Sequence, residues 1–156
     1  MGTLGAMSRV SVRDAHADDA SAVGVLLADL GYPMPEALAR EKIALLAARE
    51  DDRVFVAEVG GEVAGVLSFH VMTLFHAPGN LGRITALIVV EQKRRAGVGR
   101  ALCDAAEAFA WSRDCRRIEV TSGEHRSGAH AFYQRLGYQL DDHRRFIKQR
   151  ETAPAR

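Results

Sequence analysis

Residues 94–100 combine closely spaced glycines with arginines in a pattern that can bind a phosphate group. Gly97 and Gly99 leave backbone N–H groups unobstructed. The helical pattern that begins there adds the unpaired amides and the positive dipole end of a first helical turn. No Ser, Thr, Asp or Asn stands at positions 96–98 to cap those amides. The stretch therefore predicts an anion site, to which three side chains add positive charge: Arg94, Arg95 and Arg100.

Two common nucleotide-binding motifs do not fit this stretch. The segment GVGRAL lacks the third glycine of the dinucleotide fingerprint GxGxxG, and the chain contains no GxxxxGK[ST] phosphate loop. A lone GxG also occurs in ordinary turns whose arginines are simply solvated. A pyrophosphate held in some other way and a plain glycine turn therefore both stay open at this point.

The histidines and cysteines do not form a metal-binding pattern. His125 and His130 flank the start of a short predicted helix, but no third ligand has suitable spacing. A surface or hydrogen-bonded role is expected for both, and no metal is predicted. Cys103 and Cys115 have no CxxC spacing and are expected to be free thiols.

Composition places the chain among ordinary one-domain globular proteins, with 156 residues, 47% hydrophobic and 26% charged. The 21 Lys and Arg residues balance 20 Asp and Glu residues, so no overall field attracts nucleic acid or an anionic membrane. No apolar run approaches the roughly 20 residues that a membrane span requires, and the N-terminus lacks a secretory pattern. A soluble protein of the cytoplasm, with no nucleic-acid or membrane partner, is expected.

Hydrophobic periodicity predicts the elements that position the anion site. A half-buried strand over residues 8–14 is followed by a helix that ends at Gly31 and by a second helix to about Arg49. A hairpin that turns at Gly60 and Gly61 then leads through the loop HAPGN to the run ITALIVV. This nearly continuous apolar run is typical of a strand that is covered on both faces.

The second half of the chain predicts a crossover. A helix begins at residue 97 and is followed by the strand RRIEVTS, a short helix that ends at Gly137 and a last strand near RRFIK. A strand, a helix and a second strand in this order place two strands parallel in one sheet. The order therefore predicts an α+β or mixed α/β fold, antiparallel in its first part.

Two motifs in matching order relate the chain to a known family. Residues 94–99 read RRAGVG and fit the pattern [RQ]-x-x-G-x-[GA], which in the GNAT superfamily lies between the fourth strand and the third helix. Downstream, SGAHAFYQRLGY is similar to that family's A-x-x-x-Y-x-x-x-G-[FY] segment through Ala129, Tyr133, Gly137 and Tyr138. Over residues 8–148 the chain therefore resembles the GNAT superfamily of acyl-coenzyme A N-acyltransferases.

The resemblance implies a fold and a domain division. The fold is α+β (mixed α/β), a central mixed sheet of about six or seven strands flanked by about four helices. Residues 1–7 would be a leader or cloning remnant, residues 8–148 the acyltransferase domain and residues 149–156 a disordered tail.

The resemblance also implies an activity. An acetyl group would pass from acetyl-coenzyme A (acetyl-CoA), the cosubstrate, to a primary amine by direct attack in a ternary complex. A catalytically silent module that senses acyl-CoA is the alternative. The acceptor amine, on a small molecule or a protein, is not identified by the sequence, and a homodimer is compatible with it.

Site residues follow from the same resemblance. The backbone of Leu87, Ile88 and Val89 would pair with the pantetheine arm like an added strand, because the family's fourth and fifth strands splay apart. The family's tyrosine falls on Tyr133, the expected catalytic residue, which would protonate or hydrogen-bond the departing thiolate. Arg126 stands where many relatives carry Asn and would reach a phosphate or the adenine. The residues that would hold the pyrophosphate are Arg94, Arg95, Ala96, Gly97, Val98, Gly99 and Arg100.

The sequence departs from the family where a general base would lie. Relatives often carry a carboxylate on the fourth strand, whereas residues 83–86 here read RITA. A water chain to Glu119, His70 or a strand carbonyl, or a weakly basic acceptor amine, would have to replace it. No side chain of that strand is then an obligatory base, and Thr85→Ala is expected to keep appreciable activity. The segment 29–41 would form the rim of the acceptor site.

Overall fold

The computed structural model describes residues 9–29, 31–94, 96–121 and 127–151. The chain divides into two compact units, residues 1–121 and 122–156. In the second unit, α4 spans Ser127–Arg135. The first unit contains two 3₁₀ turns, Ala17–Asp19 and Glu91–Lys93. The strands and α-helices of the first unit are, in chain order, β1 (Val10–Asp14), α1 (Ala20–Asp29), α2 (Glu36–Ala47), β2 (Asp52–Val59), β3 (Glu62–Thr73), β4 (Asn80–Val89), α3 (Val98–Ser112) and β5 (Cys115–Val120).

The strands of the sheet lie side by side in sequence order, from β1 to β5. The first four are antiparallel neighbours, whereas β5 runs parallel to β4. Parallel neighbours need a crossover connection, and α3 provides it. Gly60 and Gly61 have φ values of 60° and 81° and form the tight turn of the β2–β3 hairpin, a conformation that glycine adopts without steric cost. The mixed sheet and its crossover are therefore confirmed.

Helices cover both faces of the sheet. On one face α3 lies across β3, where the Phe69 ring packs edge-on against Phe109 with ring centres 5.9 Å apart. A Cβ at Gly65 would lie 2.9 Å from Val98 Cγ1, so this glycine lets the start of α3 approach β3. On the opposite face α1 and α2 form a buried cluster with β2, β3 and β4, which includes Val23, Leu26, Ile43, Val56, Val66 and Ile88.

The last predicted strand, near residues 144–148, is wrong. These residues lie in neither a helix nor a strand, so the part of the chain that the structure describes has five strands rather than six or seven. Phe146 and Ile147 are 94% and 61% exposed. Strand formation depends on side-chain pairs with a neighbouring strand, which a local pair of adjacent apolar residues does not supply.

The helix α4 ends as the sequence predicts. Gly137 has a φ of 94°, the left-handed conformation expected just beyond a helix C-terminus. The N–H of Tyr138 donates to the carbonyl oxygen of Tyr133 at 3.0 Å, and the two rings lie 5.7 Å apart between centres. The helix end is therefore closed both by a backbone hydrogen bond and by an aromatic contact.

Both cysteines are free, as predicted, and both are buried. Burial raises the pKa of the Cys103 thiol to about 12 and also raises the pKa of Cys115. Neither side chain therefore carries much reactive thiolate at neutral pH.

The predicted leader, residues 1–7, and residues 152–156 of the predicted tail lie outside the described residues. Within the described ranges, no helix has the length and apolar character that crossing a membrane requires.

Candidate active site

The pairing between strands β4 and β5 ends halfway along β4. Their parallel pairing runs from Asn80 with Cys115 to Ile84 with Val120, and β5 ends there. Strand β4 continues for five more residues, to Val89, along its antiparallel partner β3. Among the described residues, positions 85–89 of β4 therefore have a strand neighbour on one side only. This fork leaves an open strand edge of the kind to which an extended ligand can add as a further strand.

The backbone groups that face this open edge can be identified from the hydrogen bonds. The N–H of Val90 donates to the Ala64 carbonyl on β3 at 2.8 Å. Because successive residues of an antiparallel strand alternate in direction, Val89 and Leu87 turn their N–H and C=O groups to the open edge. Arg94 Nε indeed donates to the Val89 carbonyl there, at 3.4 Å. Ile88 by the same alternation faces β3 with its backbone.

The start of α3 exposes backbone donors without a side-chain cap. Gly97 is the N-cap residue in a left-handed conformation, with φ 84° and ψ 12°. The first helical hydrogen bond runs from the Ala101 N–H to the Gly97 carbonyl at 3.0 Å. The preceding amides, those of Val98, Gly99 and Arg100, have no acceptor one turn back within the helix. This end of α3 can therefore bind an anion through backbone N–H groups.

The side chains at this turn differ in exposure. Ala96, Gly97 and Arg100 are exposed, as is Arg94, whereas Val98 and Gly99 are buried against the sheet. The arginines can thus reach a ligand, while the buried pair anchors the helix start. Two predicted cofactor residues, Arg95 and Arg126, lie outside the described residues.

A pocket of about 240 Å³ lies between the end of α1 and the end of β4. Val89 and Arg94, which meet at the open edge, belong to its wall. Asp29, at the start of the segment expected to form the acceptor rim, also lines the pocket. The complete lining is Leu26, Asp29, Ile88, Val89, Val90, Glu91, Gln92 and Arg94.

A chain of hydrogen-bonded side chains begins at the fork. Thr85, the first β4 residue beyond the pairing with β5, has its Oγ1 2.8 Å from His70 Nε2 and 2.6 Å from Ser68 Oγ. The other ring nitrogen of His70, Nδ1, lies 2.9 Å from Asp52 Oδ1. Asp52 is buried and His70 is partly buried, whereas Thr85 is exposed. A buried carboxylate, an imidazole and an exposed hydroxyl are thus connected in series.

A β-bulge positions the Thr85 side chain in this series of hydrogen-bonded groups. Ser68 pairs with Ala86 and the next residue of β3, Phe69, pairs with Ile84, so Thr85 is the extra residue. Side chains alternate between faces along a regular strand, and one inserted residue shifts that alternation. The bulge therefore brings the Thr85 hydroxyl to the face of the sheet that carries Ser68 and His70.

Sequence reasoning identified only part of this arrangement. His70 and Thr85 are predicted separately, His70 as a possible base and Thr85 as a side chain that is not obligatory, whereas Asp52 and Ser68 are not predicted. The signal for Ser68 was its spacing of two residues from His70, which places both on one face of a strand. Asp52 carries no such signal, because its partner lies on the next strand and only the register of the β2–β3 hairpin joins them.

The candidate base Glu119 is already paired. Its Oε1 accepts from Arg117 Nε at 3.0 Å, and its Oε2 lies 3.4 Å from Arg83 Nη1. The Arg83 guanidinium also donates to the Thr121 hydroxyl at 2.8 Å. Both carboxylate oxygens of Glu119 therefore already face guanidinium groups.

The predicted catalytic tyrosine lies in the second unit, on α4. The Tyr133 ring is partly buried and packs edge-on against Phe132 and Tyr138, with centres 5.2 and 5.7 Å away. The assignment of Tyr133 to the departing thiolate stays a prediction.

Comparisons with known proteins agree with one another. Residues 15–138 match the Acetyltransferase (GNAT) family. An aminoalkylphosphonate N-acetyltransferase of Salmonella typhimurium is 34% identical over 88 residues, which cover 56% of this chain and 56% of that protein. The chain spans about half the length of the curated relatives that it matches.

Solved structures share the fold at low sequence identity. An aminoglycoside N-acetyltransferase in complex with CoA superposes with a TM-score of 0.81 at 15% identity, covering 96% of this chain and 99% of that one. A ribosomal-protein-alanine N-acetyltransferase from Brucella melitensis biovar Abortus gives a TM-score of 0.74 at 17% identity, with coverage of 92% and 100%.

Proposed function

Because the chain belongs to the GNAT acetyltransferase family, we propose that it transfers an acetyl group from acetyl-CoA to a primary amine by direct attack. The observation that carries the proposal is the open edge of β4, which leads to the uncapped start of α3. The uncapped amides would bind the pyrophosphate. The edge groups of Leu87 and Val89 would pair with the amides of the pantetheine arm, once the Arg94 side chain has left the Val89 carbonyl. A cytoplasmic location suits this cosubstrate.

The proposed reaction has one difficult proton step and one easier one. A lysine-like amine has a pKa near 10.4, so reaching its neutral form at pH 7 costs roughly 4.6 kcal/mol. Its lone pair then attacks the thioester carbonyl, and the C–S bond breaks to release the CoA thiolate. A thiol with a pKa near 8.5 needs less help to leave, and Tyr133 would donate to it. The protein must therefore assist mainly on the amine side.

Direct transfer in a ternary complex is favoured over a cysteine-bound acetyl intermediate. Cys103 and Cys115 are buried, and burial raises the pKa of both thiols. An acyl-enzyme needs an accessible thiolate, which neither residue supplies. The amine and the thioester would then be bound together before the acetyl group moves.

A panel of candidate amines would identify the acceptor. The relatives named above act on aminoalkylphosphonates, aminoglycosides and the alanine of a ribosomal protein. A panel of 2-aminoethylphosphonate, neamine, spermidine and a peptide with N-terminal alanine covers these classes and a polyamine. Thiol release from acetyl-CoA, measured with each amine and with none, tests the enzyme.

The competing function is an acyl-CoA sensor, which the missing carboxylate at residues 83–86 would permit. A sensor binds acetyl-CoA in calorimetry and releases no thiol with any amine. Turnover with at least one amine, accompanied by acetylation of its nitrogen in mass spectrometry, is the expected result. Binding without turnover across the panel would replace the enzyme with the sensor.

A further inference from the structure

We propose that His70, oriented by Asp52, is the general base of the reaction and receives the proton of the acceptor amine through the hydroxyl group of Thr85. The inference rests on the proposed function and supplies the base that β4 lacks. Its starting point is the series Asp52–His70–Thr85, with distances of 2.9 and 2.8 Å between successive polar atoms.

The hydrogen bonds define the direction in which the proton moves. Asp52 is a buried carboxylate whose second oxygen lies 3.5 Å from Arg49 Nη1, so it acts as an acceptor. The Nδ1 of His70 must then carry the hydrogen that is donated to Asp52 Oδ1. In a neutral imidazole this leaves Nε2 as an acceptor, and the Thr85 hydroxyl donates to it. His70 therefore presents its basic nitrogen toward Thr85 rather than toward Asp52.

Ser68 is the second hydrogen-bond partner of the Thr85 hydroxyl. Since Thr85 has only one hydroxyl hydrogen, and this is donated to His70, Ser68 must donate to Thr85 Oγ1 across their 2.6 Å contact. One lone pair of the Thr85 oxygen remains. Because Thr85 is exposed, that lone pair can accept an N–H from an amine.

If the cofactor follows the expected path, the position of Thr85 along β4 would bring this lone pair close to the reacting carbonyl. The expected cofactor path runs from the start of α3 along the edge at Val89 and Leu87. Strand residues advance about 3.3 Å each, so Thr85 lies about 7 Å beyond Leu87 in the same direction. The end of the pantetheine arm, which carries the thioester, is thereby led toward Thr85 and the fork.

The proton step balances without any further reactant. As the amine nitrogen bonds to the thioester carbon, its N–H proton moves to Thr85 Oγ1, and the Thr85 hydroxyl proton moves to His70 Nε2. The resulting imidazolium keeps its Nδ1–H bond to the Asp52 carboxylate. Collapse of the tetrahedral intermediate expels the CoA thiolate, and Thr85 ends with the number of protons that it had at the start.

The test compares His70→Gln with His76→Gln. His76 is exposed in the loop after β3 and belongs to no part of this chain of side chains, so it controls for the loss of a histidine. We expect His70→Gln to lower kcat/KM for the best amine of the panel about 100-fold, within the range of general-base catalysis. Its affinity for acetyl-CoA, measured by calorimetry, and its melting temperature should stay close to those of His76→Gln.

A second readout separates proton removal from a structural role. For a base, the loss in His70→Gln should shrink as the basicity of the acceptor falls, whereas a structural defect lowers the rate for all amines equally. Thr85→Ala should lose about 3- to 10-fold, since a water molecule can replace the hydroxyl, and Thr85→Ser should restore the rate. If His70→Gln fails to fold, Asp52→Asn serves, with an expected loss of at least about 10-fold.

Four results would overturn the inference. They are an unchanged rate in His70→Gln, an equal loss for all amines, failure of Thr85→Ser to restore the rate, and ping-pong kinetics with an acetylated Thr85. In the first three the enzyme still acetylates an amine by direct attack, so the proposed function survives. Ping-pong kinetics would overturn the direct attack as well, while leaving acetyl transfer to an amine in place. Wild-type protein that binds acetyl-CoA but releases no thiol, either with any amine or without one, would instead overturn the proposed function and the inference together.

Discussion

The two ends of the open β4 edge are built from different parts of the chain. At the α3 end the groups proposed to bind the cofactor are backbone amides of adjacent residues. At the fork the groups are side chains from three strands, namely Asp52 on β2, Ser68 and His70 on β3, and Thr85 on β4. A site made of backbone should depend on conformation, whereas a site made of side chains should depend on chemical identity.

The largest expected effect is on the backbone-built end. Gly97→Val should weaken acetyl-CoA binding about 100-fold or more, because a β-branched residue resists a φ of 84° and its side chain would cover the free amides. Gly61→Val is the matched control. Gly61 has a φ of 81°, and at both glycines the space for a Cβ is open.

Calorimetry and thermal melts distinguish the two glycine variants. Both should lose comparable stability from backbone strain, and only Gly97→Val should lose cofactor affinity. Equal affinity in the two variants would mean that the start of α3 does not hold the cofactor.

An intermediate effect is expected for a residue whose role is chemical. Tyr133→Phe should lower kcat by about 10-fold, near the lower end of acid–base effects, because thiolate departure is the easier proton step. The ring should still pack against Phe132 and Tyr138, so acetyl-CoA affinity should not change.

Steady-state kinetics and a thermal melt of Tyr133→Phe are sufficient to distinguish a chemical role from a structural one. A purely structural tyrosine predicts the reverse pattern, with normal kcat and a loss of up to about 1–3 kcal/mol of stability. An unaltered kcat would remove Tyr133 from the mechanism.

The smallest effect is expected for a side chain at the backbone-built end. Arg100→Ala should weaken acetyl-CoA binding only about 2- to 5-fold, because an exposed guanidinium contributes a screened attraction to the phosphates. The difference from wild type should diminish further as salt is added. A loss as large as that of Gly97→Val would show that charge, rather than backbone geometry, dominates this end.

The same contrast explains which parts of the site could be predicted from sequence. Amides of adjacent residues leave a local pattern, and RRAGVG predicted the helix start and its lack of a cap correctly. The Asp52–His70 contact depends on hairpin register, and the Thr85 contact depends on a bulge. Neither leaves a local pattern, so the sequence does not predict that these side chains meet.

The fold followed the sequence wherever periodicity extended over a whole element. The amphipathic helix α3 and the apolar strand β4 were placed within a few residues, and the glycine stops at Gly31 and Gly137 have the expected positive φ. The strand expected near residues 144–148 had only two adjacent apolar residues to support it, and it does not form. Short segments depend on partners that the local sequence does not specify.

Because Cys103 is buried, the rate at which it is alkylated reports on the motion of α3. This thiol lies fully buried on α3, the helix whose first turn is proposed to hold the cofactor. An alkylating reagent can reach it only when α3 separates from the sheet, so the labelling rate measures the free energy of that local opening. A ligand held at the start of α3 should slow the labelling in proportion to its occupancy. The acetyl-CoA dependence of labelling would then give the affinity of the site without any acceptor amine.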